Sequence, residues 1–157
     1  MSEEGELAGF LPYQLSVTSN AVSSLIAERY RKRFGLKIPE WRVMAVLGDA
    51  GTMTQRALTA ATVMDKVAVN RAVKVLEERG LIARVPNPGD GRSHLLALTA
   101  EGRAIHAEVM PLARATEREL LEGFGGGEEA ALRDLLARLR ARAMALASPA
   151  PEGPEQE

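Results

Sequence analysis

Long amphipathic segments stand at both ends of this chain, and they carry more apolar stripe than the short stretch between them can cover. Near the N-terminus Leu11, Leu15, Val22, Leu25, Ile26 and Tyr30 recur at a helical period as far as Phe34, where Gly35 supplies a stop. Toward the C-terminus one predicted helix opens at Thr99 and shows Ile105, Val109, Leu112, Thr116 and Leu120 on one face up to Gly123. After the break at Gly125-Gly-Gly127 another aligns Leu132, Leu135, Leu136, Leu139, Ala143 and Leu146 along a seam. Such spare faces bury most simply against each other and against a second copy, and a symmetric dimer is the commonest closed arrangement. A homodimer is therefore the first expectation.

The middle of the chain reads as a compact alternation of short elements. Pro39 suits the first turn of a helix and Glu40 its positive end, after which Trp41, Val43, Met44, Ala45, Val46 and Leu47 are apolar almost all round. That helix should be buried on most sides and be closed by Gly48 to Gly51. Thr54 can cap a short helix from Gln55 to Ala61, and Asp65 a further one ending at Gly80. On a helical wheel Val69, Ala72, Val73 and Leu76 share one face, while Val67, Asn70, Arg71 and Lys74 share the other. Two short β-prone runs, Leu81 to Val85 and Ser93 to Leu98, flank a Pro/Gly-rich turn with Arg92 at its tip, the pattern of a β-hairpin with a projecting loop. Thr99 then caps the following helix. Gly102 occupies the position where a capping-box glutamate would stand, so the box is absent.

Composition narrows the function classes. The chain of 157 residues is long enough for one ordinary core, and a single domain over residues 10–148 is expected. With no cysteine, disulfides and thiolate metal sites are excluded. His94 and His106 have no spaced acidic partners to complete a metal site or an acid–base pair, and no glycine-rich loop follows a strand. No catalysis, cofactor or metal is expected. Residues 1–9 are acidic through Glu3, Glu4 and Glu6 and lack the basic start of a signal peptide, and no run of about 18 apolar residues could span a bilayer. A cytoplasmic protein with no membrane partner follows as the expectation. The tail, residues 149–157, is also acidic, through Glu152, Glu155 and Glu157, and both ends should be unstructured. Their glutamates leave residues 10–148 at +5 beneath a formal net charge of −1, a balance compatible with nucleic acid.

The segments Ile38-Pro-Glu-Trp-Arg-Val-Met-Ala-Val-Leu47, Met53-Thr-Gln-Arg-Ala-Leu58, Met64-Asp-Lys-Val-Ala-Val-Asn-Arg-Ala-Val73, Leu76-Glu-Glu-Arg-Gly-Leu-Ile82, and Asp90-Gly-Arg92 followed by Leu96-Ala-Leu-Thr-Ala-Glu-Gly102 together resemble the MarR family of transcription regulators. The resemblance implies a mainly α fold with a small β-hairpin wing. In it a winged helix-turn-helix over about residues 38–99 is flanked by dimerisation helices over about 11–34 and 100–147. It implies that Asp65 to Arg79 is a recognition helix in the major groove of double-stranded DNA, at a pseudo-palindromic operator, with Arg92 reaching a neighbouring minor groove.

The chemistry of the residues agrees. Asn70 can pair with adenine, Arg71 with guanine or a phosphate, and Val67 can meet a thymine methyl. Ala68 lies among them, and Lys66 and Lys74 suit phosphates. A thin Gly/Pro loop can deliver the Arg92 guanidinium into a narrow, strongly negative groove, with Asp90 placed to hold it. The family often has a second basic residue where this chain has Gly91.

The resemblance further implies a repressor released by a small aromatic molecule bound between the dimerisation helices and the winged unit, where Tyr13, Trp41 and Arg42 could hold a ring and a carboxylate. The stretches Leu11-Pro-Tyr-Gln-Leu-Ser16 and Met64-Asp-Lys-Val-Ala-Val69 are similar to a subgroup that includes regulators of aromatic-acid breakdown genes, which makes an aromatic acid or its acyl-CoA thioester the expected effector. The alternative is a winged helix used for protein contacts without specific DNA binding. It calls for an acidic or broadly apolar outer face, unlike Asn70, Arg71, Lys74 and Arg92.

Overall fold

In the computed structural model, which describes residues 6–148, the apolar periods become six helices and a small antiparallel sheet. Helix α1 spans Leu11–Phe34 and stops at Gly35, whose left-handed backbone lets its N–H reach the Arg31 carbonyl. Helix α2 spans Ile38–Ala50 and buries Trp41, Val43, Met44 and Leu47. Strand β1, Thr52–Thr54, leads into α3, Gln55–Thr62, and α4 covers Lys66–Glu78. Strands β2, Ile82–Pro86, and β3, His94–Leu98, form the hairpin, followed by α5, Ala100–Leu121, and α6, Glu128–Ala147. The core gathers Tyr30 from α1, the inner faces of α2 and α4, Leu58, Leu81, Ile82, Leu96, Leu98 and Val109.

Two expectations are refined. Of the Gly48–Gly51 segment, Gly51 closes α2, its N–H bonding the Leu47 carbonyl at 2.9 Å, while Gly48 lies inside the helix. A Cβ there would lie 2.2 Å from Nε2 of His106, so the glycine serves inside the helix as the gap that admits an imidazole from α5. The hairpin is one edge of a three-stranded sheet of order β1-β3-β2, because Met53 pairs with Leu96 and its neighbours Thr52 and Thr54 with Ala97 and Leu95. The described residues form two compact units, the first ending at Thr116 and the second beginning at Glu117.

Within the second unit no residue of α6 is buried, and Leu132, Leu135, Leu136 and Leu139 all stand exposed. Gly126 and Gly127 turn the chain into α6 with φ of 58° and 87°, left-handed values that side chains disfavour. Arg133 bonds Glu117 at 2.5 Å and Glu129 at 2.7 Å.

Residues 1–5 and 149–157, parts of the acidic ends expected to be unstructured, lie outside the described residues. Residues 6–9 form a turn instead, because the Gln14 side-chain amide donates to the Ala8 carbonyl at 2.8 Å. Among the described residues no helix is long and apolar enough to cross a membrane.

The missing capping box of α5 has a steric cause. Thr99 Oγ1 accepts from the Gly102 N–H at 3.0 Å and itself donates to the Gly80 carbonyl at 2.7 Å, while the Thr99 N–H bonds the Leu81 carbonyl at 3.0 Å. This joint pulls α5 so close to the start of β2 that a Cβ on Gly102 would lie 2.0 Å from the Leu81 oxygen. Backbone cannot yield as a flexible side chain does, so Gly102→Ala is expected to destabilise the protein by about 1–3 kcal/mol, read from the midpoint of a urea unfolding curve.

Candidate nucleic-acid interface and effector cleft

Helix α4 is held by its apolar face and presents the other. Val69, Ala72, Val73 and Leu76 are buried, and Lys66, Val67, Asn70, Arg71 and Lys74 are exposed together on the opposite side. Asp65 caps the helix by accepting from the Ala68 N–H at 2.8 Å. That amide is thereby spent inside the protein, and Ala68, half-buried, has only its methyl to offer. At the far end Arg79 donates to the carbonyls of Phe34 and Gly35 at 2.9 and 3.2 Å, which ties α4 to the end of α1.

The wing loop is stiffened from within. Asn87 donates from Nδ2 to Ser93 Oγ at 2.9 Å and accepts the Gly89 N–H at 3.1 Å. Asp90 accepts from the backbone N–H of Arg92 at 2.9 Å. The expectation that Asp90 grips the guanidinium is corrected accordingly: the carboxylate shapes the loop backbone, and Arg92 stands exposed at the tip.

A second set of contacts surrounds Trp41. Its ring lies 5.7 Å from that of Tyr30 on one side and 5.7 Å from His106, stacked at 29°, on the other, so three rings join α1, α2 and α5. Burial pushes the Tyr30 phenol up to about 12 and holds the His106 imidazole below its ordinary value of 6.5. Neutral His106 is thus the form that suits the stack. Protonation as pH falls through the ordinary imidazole range removes part of its contribution to stability.

Trp41 and Arg42 border an open cleft of about 790 Å³, together with Leu15, Ser16, Ser19 and Asn20 of α1, Ala45 and Val46 of α2, and the end of α3. Arg42 also points a guanidinium nitrogen toward Ser23 Oγ at 3.5 Å. Tyr13 does not line this cleft. It stands exposed near the start of α1, so the trio named from sequence is brought together only as the pair Trp41 and Arg42.

Other contributors were not legible. Gln55, at the first position of α3, donates from Nε2 to Oδ1 of Asn70, and Arg84 of β2 donates to Gln55 Oε1 at 3.4 Å while pairing with Glu77 at 2.9 Å. Partners 15 and 29 residues apart leave no local spacing to read. Val63 is the other. Its φ of 55° places a β-branched residue in the left-handed region, 86% exposed, at the turn between α3 and α4.

The MarR family model matches residues 34–93, from the end of α1 through the wing loop. The transcriptional regulator HosA of Escherichia coli O111:H- is 31% identical over 101 residues, covering 64% of this chain and 75% of the relative. The chain belongs to the MarR family. Its neighbours among solved structures include the MarR family transcriptional regulator SPO1453 from Silicibacter pomeroyi, 32% identical with a TM-score of 0.72 over 87% of this chain and 99% of the other. Bordetella bronchiseptica BpsR, whose DNA binding is regulated by 6-hydroxynicotinic acid, shares the fold at 23% identity, with a TM-score of 0.76 over 87% of this chain and 96% of its own. As a MarR protein this chain is a transcriptional regulator and not an enzyme. MarR regulators bind DNA and act as dimers, some with small-molecule ligands.

The turn at Val63 holds a residue poorly suited to it. Asparagine tolerates the left-handed region at a helix end far better than valine, and an exposed valine side chain gives little packing in return. Val63→Asn is expected to raise stability by about 1 kcal/mol, measured as an increase in the urea midpoint with an unchanged slope.

Proposed function

We propose that this MarR regulator is a ligand-responsive repressor whose dimer sets α4 into successive major grooves of a pseudo-palindromic operator and releases it when an aromatic carboxylate, free or as a thioester conjugate, occupies the cleft beside Trp41. One observation carries the reading. The cleft touches α1 on one side and ends on the other at Ala61, Thr62 and Val63, where α3 turns toward α4. A molecule lodged there meets a helix with unpartnered apolar residues at its start, among them Leu11, Leu15 and Val17, and the turn that aims the exposed face of α4. It can favour a dimer in which the two α4 helices are wrongly spaced for DNA, and that difference in affinity is what release requires.

The chemistry of the lining suits the ligand class. Trp41 offers an aromatic edge, Arg42 a guanidinium able to pair with a carboxylate, and Ser16, Ser19 and Asn20 hydroxyl and amide groups for ring substituents. The volume is in the ordinary range for small-molecule sites. Regulation of BpsR, a protein of the same fold, by 6-hydroxynicotinic acid is consistent with this class.

On the DNA side Lys66 and Lys74 neutralise phosphates, Arg71 and Asn70 face base edges with Val67 beside them, and Arg92 enters the adjoining minor groove. Arg71→Ala is expected to weaken operator binding by about 1–3 kcal/mol and relax preference at one base pair in each half-site. Lys74→Ala is expected to weaken specific and random duplexes alike and to lower the salt slope by about 1. Mobility shifts over a salt series separate the two, and equal behaviour of both variants on both duplexes counts against the assignment.

For the effector, Trp41 is the only tryptophan and so reports on the cleft directly. Aromatic acids and their coenzyme A thioesters titrated into the protein–operator complex are expected to quench its fluorescence at the concentrations that release DNA, with affinity for operator falling about 5- to 150-fold. Arg42→Ala should move both curves to higher concentration. Release without a fluorescence change would place the effector elsewhere.

A further inference from the structure

We propose that Gln55 is a specificity-determining positioning residue: with Arg84 and Glu77 it fixes which end of the Asn70 side-chain amide faces the base, so that Asn70 reads as a hydrogen-bond donor. The proposal rests on the reading that α4 enters the major groove. It starts from a chain of hydrogen bonds whose direction is set at one end. Arg84 pairs with Glu77, its Nε donating to both carboxylate oxygens at 3.1 and 3.2 Å and its Nη2 lying 2.9 Å from one of them. A guanidinium has no acceptor, so the atom of Gln55 that meets Arg84 Nη2 at 3.4 Å must be the amide oxygen. The nitrogen of Gln55 then faces α4, where a donor requires an acceptor, and it donates to Oδ1 of Asn70. Each link forces the next.

The consequence reaches the outer surface of α4. An isolated asparagine can turn its amide over to suit adenine, guanine or thymine. Here Oδ1 is held toward α3 by Gln55, and Nδ2, the other end of a planar group on an exposed residue, is left to what lies outside the helix. In the major groove a lone donor is matched best by the keto bases, guanine through O6 and N7 and thymine through O4, because adenine sets its N7 acceptor beside an N6 donor that is left without a partner. The adenine pairing suggested by residue type alone is thereby replaced by a preference for a keto base on the contacted strand.

Exchanging the relay residue for its acid gives a test with opposite signs. In Gln55→Glu the new carboxylate would still accept from Arg84, but its second oxygen can only accept, so Asn70 must turn over and present Oδ1 to the DNA. Position one of a helix tolerates glutamate well, so the fold is retained. Selection of binding sites from a random duplex library is run on the wild-type dimer, with Asn70→Ala used to locate the base pair that Asn70 contacts.

At that pair the wild type is expected to favour guanine or thymine on one strand. Gln55→Glu is expected to invert the preference to cytosine or adenine on the same strand, by about fivefold or more. Asn70→Asp, which offers only acceptors, should shift it the same way. A wild-type preference for adenine there, or an unchanged profile in both acidic variants, overturns the proposal while leaving α4 as the reading helix. If the wild type enriches no sequence, or Asn70→Ala alters no position, the reading of α4 itself fails and the proposal fails with it.

Discussion

The contact on which most of the first unit depends is the stack of Tyr30, Trp41 and His106. Two consecutive helices, α1 and α2, and the distant α5 meet at these rings, and each helix is shaped to let them meet. Helix α2 carries a glycine at position 48 because the imidazole occupies the space of a side chain, and α1 places Tyr30 in its last turns, where burial keeps the phenol protonated at any ordinary pH. Trp41, the middle ring of the stack, also borders the cleft. A change of acidity at His106 therefore acts on the ring that borders the cleft. Trp41 thus belongs both to the packing of the fold and to the cleft surface.

Much of this architecture could be read from residue order because it rests on periodicity and local caps. The stripe of α1, the two faces of α4, Asp65 as its cap and Thr99 as the cap of α5 all depend on partners within a few residues, and each appears where the spacing predicts it. Strand β1 was illegible for the complementary reason. Three residues are too few to show a period, and Thr52–Thr54 extend only because β3 offers an unpaired edge. The two structural glycines were visible as glycines, but their necessity lies in what stands opposite, His106 for Gly48 and the Leu81 carbonyl for Gly102.

The candidate site divides along the same line. Helical spacing alone sorted Lys66, Val67, Asn70, Arg71 and Lys74 onto the open face of α4, and the turn residues placed Arg92 at the loop tip. What spacing could not supply is the orientation of each group. Asp90 was near enough to Arg92 in sequence to be paired with it, yet the bond goes to the backbone. Tyr13 and Trp41 lie on helices that meet, yet at different heights. The relay through Gln55 joins three elements by exposed side chains, and a pair such as Arg84 and Glu77 contributes only about 0–1 kcal/mol to stability. Its importance is directional, and direction leaves no mark in composition or period.

The tie between Arg79 and the end of α1 gives the first unit a mechanical property. Two hydrogen bonds pin the C-terminal end of that helix, at Phe34 and Gly35, to the last turn of α4, whereas the cleft touches α1 near Ser16. At 1.5 Å per residue the two points are separated by roughly 27 Å of rigid rod. Helix α1 is in this sense a lever with its fulcrum at Arg79, and a push of about 1 Å at the free arm becomes a tilt of roughly 2° about the pinned end, by the same helical rise. The long arm turns a small displacement at the cleft into a rotation about the pin, and the fulcrum directs that rotation into the base of α4.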